Sequence, residues 1–378
     1  MNLCKVLVSK SDKILITFEV TEEWLSFIGT DEKCGNVRLR SIPNFVPSEQ
    51  VRASDMVGFL EAVWTKMEAP FEKLLNELEL PPTLIIADTH LFWANEQVDY
   101  IPGVSSTRLL DLPDFNGGIY PLILKQILGC VSSVRKADYL LFPSIYELES
   151  RTIDALKAEL SLFIYAVGPC IPYLNLIPCD RAYCLQWLDR QPCNSALYVS
   201  MGSFLSVSSA QMEEITAGLR GSGVRFLLVA REGISDGCGD KGLVVPWCDQ
   251  LRVLCHGSIG GFWSHCGWNS VREGVFAGTP FLTFPLLADQ NLNSKLIVED
   301  WKIGWRMKQH GSVTTRDHIS DLAKTLMDSE SDDEVQRMRR RARELREKCL
   351  KATGRHGSSE TNISSFLDNI LQCNPIAF

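Results

Sequence analysis

The chain has 378 residues, too many for one ordinary hydrophobic core, so its length predicts two domains. Hydrophobic residues make up 45% of it and charged residues 22%, the proportions of a soluble globular protein. The net charge of −8 argues against nucleic acid or an anionic membrane as the main partner. We therefore interpret the basic run at 337–346 as the solvated face of a helix.

Targeting and cysteine patterns favour the reduced cytosol. None of the 13 cysteines forms a C-x-x-C pair, and no His/Cys cluster has the spacing of a zinc site. The first residues lack the basic-then-apolar order of a secretory signal, and no apolar run could span a bilayer. We expect a cytoplasmic protein without a metal cofactor and without disulfides.

Short β-branched or Leu-rich runs alternate with helical stretches along the whole chain. In the first half, the predicted strands cover 14–18, 37–41, 83–87, 139–142 and 164–167. After a Pro-rich segment at 168–178, they cover 196–200, 225–229, 243–245, 259–263 and 280–284. Continuous apolar strands separated by helices predict an α/β fold with parallel sheets covered on both faces. The stretch 358–371 is predicted to be an amphipathic helix.

The stretch 247–290 carries the densest set of candidate binding residues. Trp247 follows an apolar strand and a proline, where its ring could stack on a planar base; the alternative is a half-buried structural Trp. Gln250, three residues on, offers a donor and an acceptor to a base edge or a ribose hydroxyl.

A strand, a Gly-rich turn and a helix start follow one another at 259–270. Phosphates bind at such helix starts because the unpaired N–H groups and the helix dipole favour negative charge. His265, Asn269 and Ser270 could add side-chain donors. Ser270 and Glu273 also have the S-x-x-E spacing of a capping box, so Glu273 could either cap the helix or accept hydrogen bonds from ribose hydroxyls.

Two further positions complete the candidate site. Asp289 and Gln290 follow the strand at 280–284, and a carboxylate beside an amide can hold adjacent sugar hydroxyls; the alternative is a solvated loop pair. Ser203 lies in a Gly-Ser turn after the strand at 196–200, where backbone N–H groups could contact a phosphate.

The order and spacing of these residues resemble, almost position for position, the signature of plant secondary-product (family 1) UDP-glycosyltransferases. The stretch 184–203 is similar to the entry to that family's second domain, and 164–169 to its linker. The resemblance implies a GT-B fold, in which two Rossmann-like domains with parallel sheets face each other, here with the first domain incomplete.

The resemblance also implies a division of the chain and its partners. Residues 1–168 would form a truncated acceptor-binding domain and 169–180 a linker. Residues 181–355 would bind the UDP-sugar, and 356–378 would form a helix packing back toward the first domain. The implied partners are UDP-glucose and a small hydroxylated acceptor, with neither a nucleic acid nor a membrane, and the protein would be a monomer.

The resemblance assigns each part of the donor to a set of residues. It implies that Trp247 and Gln250 contact the uridine and Glu273 its ribose. His265, Asn269 and Ser270 would contact the diphosphate. The donor sugar would lie among Trp268, Asp289 and Gln290, and Gln at the last position implies glucose.

The implied reaction is the inverting transfer of a hexose to an acceptor hydroxyl. In the family, a His after the first strand acts as base and an Asp orients it. Asp88, which ends the run 83–87, matches that Asp; the alternative is an N-cap for a helix starting near His90.

The first domain departs from the family pattern at two places. No His matches the base, because the chain opens at a stretch resembling the middle of the family's first helix. A second segment is missing after Glu96. The sequence leaves two hypotheses open: an active UDP-glycosyltransferase, or a catalytically dead variant that retains only UDP-sugar binding.

Overall fold

A computed structural model describes residues 2–28, 36–44, 48, 58–59, 62, 66–79, 82–84, 86, 134, 137–171, 183–202, 207–230, 241–287, 289–307, 313–328 and 332–372. The chain divides into two compact units. The first spans Met1–Leu91 together with Ser359–Phe378, and the second spans Phe92–Ser358. The four-part division expected from the sequence stays a prediction.

The first unit contains a small parallel sheet with helices beside it. Its elements are α1 (Asn2–Lys10), β1 (Ile16–Thr21), α2 (Glu22–Ile28), β2 (Val37–Ile42), α3 (Glu68–Asn76) and the C-terminal helix Ser358–Ile370. β1 and β2 pair in parallel, with Ile16 opposite Val37. Lys10 Nζ donates to Glu360 Oε1 at 2.8 Å, an ion pair between α1 and the C-terminal helix.

The second unit is built on a six-stranded parallel sheet. The strands of this unit are β3 (Tyr139–Phe142), β4 (Phe163–Ala166), β5 (Ala196–Ser200), β6 (Arg225–Val229), β7 (Gly242–Val245), β8 (Ile259–Ser264), β9 (Phe281–Thr283) and β10 (Gly304–Arg306). The six-stranded sheet has the order β10-β9-β8-β5-β6-β7, and β3 and β4 form a separate parallel pair.

Helices connect these parallel strands and follow the last of them. They are α4 (Tyr146–Glu159), α5 (Tyr183–Leu188), α6 (Ser209–Ser222), α7 (Gln250–Leu254), α8 (Trp268–Ala277), α9 (Gln290–Lys295), α10 (Arg316–Met327) and α11 (Asp333–Thr353). The C-terminal helix Ser358–Ile370 is α12. One turn of π-helix, Leu296–Asp300, follows α9 directly.

The direction of the strand order reverses between β5 and β8. From β5 the chain builds outward through β6 and β7, then returns to the other side of β5 with β8 and continues through β9 to β10. Open α/β sheets bind ligands at the carboxyl ends of the strands at such a switch point. β5 ends at Ser200 and β8 at Ser264, and these two residues lie opposite each other.

Alternating side chains of the central strands fill a hydrophobic core on each face of the sheet. Tyr198 of β5 and Phe262 of β8 belong to one core and stack with ring centroids 5.2 Å apart. Val199 and Trp263, the next residues along the same strands, belong to the other core. This double-sided burial explains why the strands read as continuous apolar runs rather than alternating ones.

The predicted α/β fold with parallel sheets is confirmed, with two corrections to the predicted strands. Residues 83, 84 and 86 are not in a strand, and Ile86 is half exposed; the rest of the predicted strand 83–87 lies outside the described residues. An apolar run becomes a strand only where a neighbour pairs with its backbone, and the described part of the first unit pairs only β1 with β2. β10 was not predicted because three residues are too short to show a period.

The basic run 337–346 lies on α11, but its interpretation as a solvated face is wrong for Arg339. That guanidinium donates to Gly260 O and to Leu326 O, both at 2.8 Å, and Met338 and Leu345 of the same run are buried. An amphipathic helix buries one side, and the long Arg stem reaches carbonyl groups from that side. No helix in the described ranges is both long and apolar enough to cross a membrane.

Candidate functional site

His265 follows β8 at the switch point, and two glycines make room for its ring. A Cβ on Gly202 would lie 2.6 Å from His265 Nε2, and one on Gly267 would lie 2.5 Å away. Gly202 also has a φ of +83°, which favours glycine. The backbone here is shaped around the imidazole, so side chains at either position would displace it.

The His265 imidazole is partly buried, and its low pKa makes it electrically neutral at neutral pH. Burial lowers its pKa from 6.5 to about 4, with the Ser200 backbone opposing that shift. Its Nδ1 is buried and has no hydrogen-bond partner among the described residues. A buried polar atom left unpaired costs free energy, so Nδ1 is an atom that a bound ligand could satisfy.

The turn after His265 leads into α8 and leaves the helix start without a side-chain cap. Gly267 occupies the N-cap position and supplies no side-chain hydrogen bond. Cys266 adopts a φ of +66°, which is unusual for a residue with a Cβ. Asn293 Nδ2 donates to Cys266 O at 3.0 Å and holds this conformation. The first-turn N–H groups of α8 therefore suit an anion.

Gln250, Ser270 and Glu273 form one hydrogen-bonded cluster between α7 and α8. Gln250 Nε2 donates to Glu273 Oε2 at 2.7 Å and to Ser270 Oγ at 3.0 Å. The capping-box alternative is wrong, because α8 begins at Trp268 and Ser270 is already inside the helix. Glu273 is held by a side chain of another helix, not by the backbone of its own.

The Glu273 side chain is partly buried. Burial raises its pKa above the usual value, and the Gln250 hydrogen bond and the Arg272 charge partly offset that shift. Gln250 bonds to Oε2, and no hydrogen bond reaches Oε1 from the residues that the structure describes. The carboxylate therefore keeps one oxygen for a ligand hydroxyl.

Trp247 presents its ring to solvent. It follows β7 and Pro246, and 75% of its surface is exposed. The alternative of a half-buried structural Trp is therefore wrong. A large apolar ring left in water three residues before Gln250 is available for stacking.

Asn269 and Trp268, in the first turn of α8, have different surroundings. Asn269 is exposed, and its Oδ1 accepts a hydrogen bond from Arg272 Nη2, which leaves the amide N–H group as its donor. Trp268 is partly buried and its ring centroid lies 6.5 Å from that of Trp301. Arg272 Nη1 also donates to Pro143 O at 3.1 Å and to Pro169 O at 2.8 Å.

Asp289 and Gln290 are structured, so the alternative of a solvated loop pair is wrong. Gln290 is buried at the start of α9, where its Oε1 accepts from the backbone N–H groups of Leu286 at 2.7 Å and Leu287 at 3.0 Å. Asp289 Oδ2 accepts from Asn293 Nδ2 at 2.7 Å, and burial raises its pKa. These bonds use Gln290 Oε1 and Asp289 Oδ2, so Gln290 Nε2 could donate to a ligand and Asp289 Oδ1 could accept from one.

Asp88, Ser203 and His90 lie outside the described residues. Within the described ranges, the structure adds three residues that the sequence analysis did not single out: Tyr198, Arg272 and Asn293. Asn293 could have been found, because it lies four residues after Asp289 and such residues share a helix face. Nothing in the local sequence of Tyr198 or Arg272 indicates their partners.

Comparisons with known proteins agree on one family. The family described as UDP-glucoronosyl and UDP-glucosyl transferase matches residues 174–340. UDP-glycosyltransferase 87A2 of Arabidopsis thaliana is 44% identical over 428 residues, covering 99% of this chain and 94% of the relative. That alignment is longer than the chain, so parts of the relative inside it have no counterpart here.

Solved structures of plant enzymes share the fold. A structure of Os79 from O. sativa in complex with UDP superposes with a TM-score of 0.81 at 23% identity, covering 98% of this chain and 97% of that one. Phytolacca americana UGT2, complexed with UDP-2fluoro-glucose and pterostilbene, has a TM-score of 0.76 at 25% identity, with 98% and 96% covered. This chain belongs to the plant family 1 UDP-glycosyltransferases and has their GT-B fold.

Proposed function

We propose that this chain transfers glucose from UDP-glucose to a hydroxyl group of a small plant metabolite, with inversion at the anomeric carbon. The observation that carries the proposal is the Gln250–Ser270–Glu273 cluster, three residues from the exposed ring of Trp247. It offers a stacking surface for a base and a carboxylate oxygen for a ribose hydroxyl within one short stretch of chain.

The nucleotide is held by groups at the carboxyl end of the sheet. Trp247 stacks on the uracil, Gln250 lies at the uridine, and Glu273 accepts from the ribose hydroxyls. The diphosphate binds at the uncapped start of α8 and is also contacted by four residues, His265, Asn269, Ser270 and Ser203. These donors also stabilise the charge that develops on UDP as it leaves.

The sugar is held by Trp268, Asp289 and Gln290. Asp289 accepts from sugar hydroxyls through Oδ1, and Gln290 donates through Nε2, since Asp289 Oδ2 and Gln290 Oε1 are already bonded within the protein. An acid and an amide placed next to each other suit two adjacent hydroxyls of a hexose, and glucose is the donor we propose.

In the transfer step, the acceptor oxygen bonds to the anomeric carbon while the bond from that carbon to the diphosphate oxygen breaks. The bonding pair leaves with UDP, and the acceptor hydroxyl gives its proton to a water molecule, because no His of this chain matches the family's base. We propose that Asp88 orients that water by accepting a hydrogen bond from it and stabilises its charged form. The donors at α8 bind the diphosphate, so we propose that transfer needs no metal ion.

The test is to incubate the protein with UDP-glucose and a panel of phenolic and terpenoid alcohols, and to detect glycosides by mass spectrometry. UDP-galactose and UDP-rhamnose serve as competing donors, and NMR of the product determines the anomer. A β-glucoside, formed from the α-linked donor and unaffected by EDTA, supports the proposal. An α-glucoside formed from UDP-glucose contradicts the inversion, and faster transfer from another donor contradicts glucose.

The Phytolacca americana enzyme, crystallised with UDP-2fluoro-glucose and pterostilbene, supports this choice of donor and acceptor class. If calorimetry shows UDP binding but every acceptor stays unmodified, transfer by this chain is contradicted while the donor site stands. The catalytically dead alternative would then replace the proposal.

A further inference from the structure

We infer that Tyr198 is a positioning residue for the donor nucleotide: its hydroxyl fixes the orientation of the Gln250 amide and thereby the geometry of Glu273. The inference rests on the proposed function, because it concerns the same site. Tyr198 lies on β5, two residues before the switch point, and its hydroxyl oxygen is 3.3 Å from Gln250 Oε1.

The direction of each hydrogen bond follows from the partners. An ionised Glu273 can only accept, so the Gln250 group that faces it must be the Nε2 donor. The carbonyl Oε1 then faces Tyr198, and because Oε1 can only accept, the phenol must donate. Rotating the amide by half a turn would place Oε1 against the carboxylate and Nε2 against the phenol.

Ser270 does not distinguish these two orientations, because a hydroxyl can both donate and accept. The carboxylate therefore makes the choice, and the phenol adds to it when another donor occupies the phenol oxygen, so that its hydrogen must point to Gln250. Glu273 would lose part of that control when a ribose hydroxyl competes for it. Tyr198 is the group that keeps the amide in place when the ligand binds.

The phenol stays protonated and has a defined place. Burial raises its pKa well above 10, and its ring stacks on Phe262 at 5.2 Å inside the core. Cys248 Sγ lies 3.4 Å from the hydroxyl oxygen, and burial raises the pKa of that thiol to about 12. The protonated thiol can donate to the phenol oxygen, which directs the single phenolic hydrogen toward Gln250.

The experiment compares UDP binding by calorimetry in a double-mutant cycle of Tyr198→Phe and Gln250→Ala. Phe keeps the ring and its stacking and removes only the hydroxyl. We expect Tyr198→Phe to weaken UDP binding about fivefold in the wild-type background, the value of one lost hydrogen bond, and to have no effect in the Gln250→Ala background. With transfer measured, KM for UDP-glucose should rise by the same factor while kcat stays unchanged.

Tyr146→Phe is the matched control. It removes a hydroxyl that bonds to Asp154 at 2.9 Å on α4 and should leave UDP affinity unchanged. If Tyr198→Phe does not fold, Cys248→Ser provides a second route. Its hydroxyl is a stronger competitor for the phenolic hydrogen, so it should weaken UDP binding, and only when Gln250 is present.

Three outcomes overturn the inference. Equal weakening in both backgrounds would show a structural role for Tyr198 that does not act through Gln250. If Tyr198→Phe leaves UDP affinity unchanged in the wild-type background, the orientation of the Gln250 amide does not depend on the Tyr198 hydroxyl. If wild-type protein binds no UDP, the proposed donor site falls and this inference with it, whereas the first two outcomes leave the donor site standing.

Discussion

Gln250 Nε2 lies 2.7 Å from Glu273 Oε2, and this contact joins the first residue of α7 to the sixth residue of α8. The two helices follow different strands on opposite sides of β5, so the contact depends on the fold and not on local sequence. It holds a partly buried carboxylate at the carboxyl end of the sheet. Sites of this kind are unfavourable for the empty protein and favourable for a ligand that supplies hydroxyl donors.

Replacing Glu273 by Gln should separate stability from binding. Because burial raises the Glu273 pKa, the ionised carboxylate is less favourable in the folded chain than in the unfolded one at pH 7. We expect Glu273→Gln to raise the free energy of unfolding at pH 7, measured in urea. UDP affinity should fall about 10- to 100-fold, because hydrogen bonds to a charged group are lost. Lower stability with unchanged UDP affinity would make Glu273 a structural residue.

Replacing Trp247 by Ala should weaken UDP binding and leave stability unchanged. The ring is 75% exposed, so little buried surface is lost, whereas stacking on a base contributes about 1–3 kcal/mol. Tyr183→Ala is the control, because that ring is 69% exposed in the same unit. Calorimetry with UDP should distinguish the two variants. Equal affinities would show that Trp247 does not stack on the base.

The partly buried His265 should make the protein sensitive to mild acid. Its pKa is about 4 in the folded chain against an ordinary 6.5, so the unfolded chain takes up the proton first as the pH falls. The stability that comes from keeping His265 neutral is complete above pH 6.5 and is lost progressively down to about pH 4. Between pH 7.5 and 5, the loss from this group is about 2 kcal/mol.

The variant His265→Gln separates the contribution of His265 from that of the carboxylates. Burial raises the pKa values of Glu273 and Asp289, and both groups are present in the wild type and in the variant, so their contribution cancels in the comparison. The free energy of unfolding should fall more for wild type than for the variant as the pH drops. Parallel curves for the two proteins would contradict a neutral, partly buried His265.

Asp88 should affect transfer and not donor binding. As the residue proposed to orient the base, it contributes to the proton transfer, so Asp88→Ala should lower kcat by about 10²-fold or more. UDP affinity should stay at the wild-type value, since the donor groups lie in the second unit. His90→Ala is the comparison, because His90 lies two residues away and is assigned no role. Full turnover by Asp88→Ala would remove Asp88 from the mechanism.

The sequence predicted the second unit better than the first. Strands β3 and β5 to β9 lie where apolar runs predicted them, because buried parallel strands have a strong local signal. The run 83–87 carries the same signal, but its described residues 83, 84 and 86 are not in a strand. Strand pairing requires a neighbour, and a neighbour cannot be read from the run itself.

The candidate site shows the same limit. The motif groups Gln250, Ser270 and Glu273 in one candidate site, and in the structure these three side chains are in contact. The motif does not reveal the hydrogen bond from the Leu286 N–H group to Gln290 Oε1. It also does not reveal that Asn293 donates to both Cys266 O and Asp289 Oδ2. The contact between Tyr198 and Gln250 is equally hidden, because Tyr198 lies on a different element. These bonds follow from how elements pack, which one sequence does not specify.

Calorimetric titration of the wild-type protein with UDP tests the central claim most directly. We predict saturable binding at one site per chain, weakened by both Glu273→Gln and Trp247→Ala and unchanged in Tyr183→Ala. No heat of binding from protein whose circular dichroism shows a folded α/β chain, or binding equally strong in all three variants, would contradict a UDP site between Trp247 and Gln290.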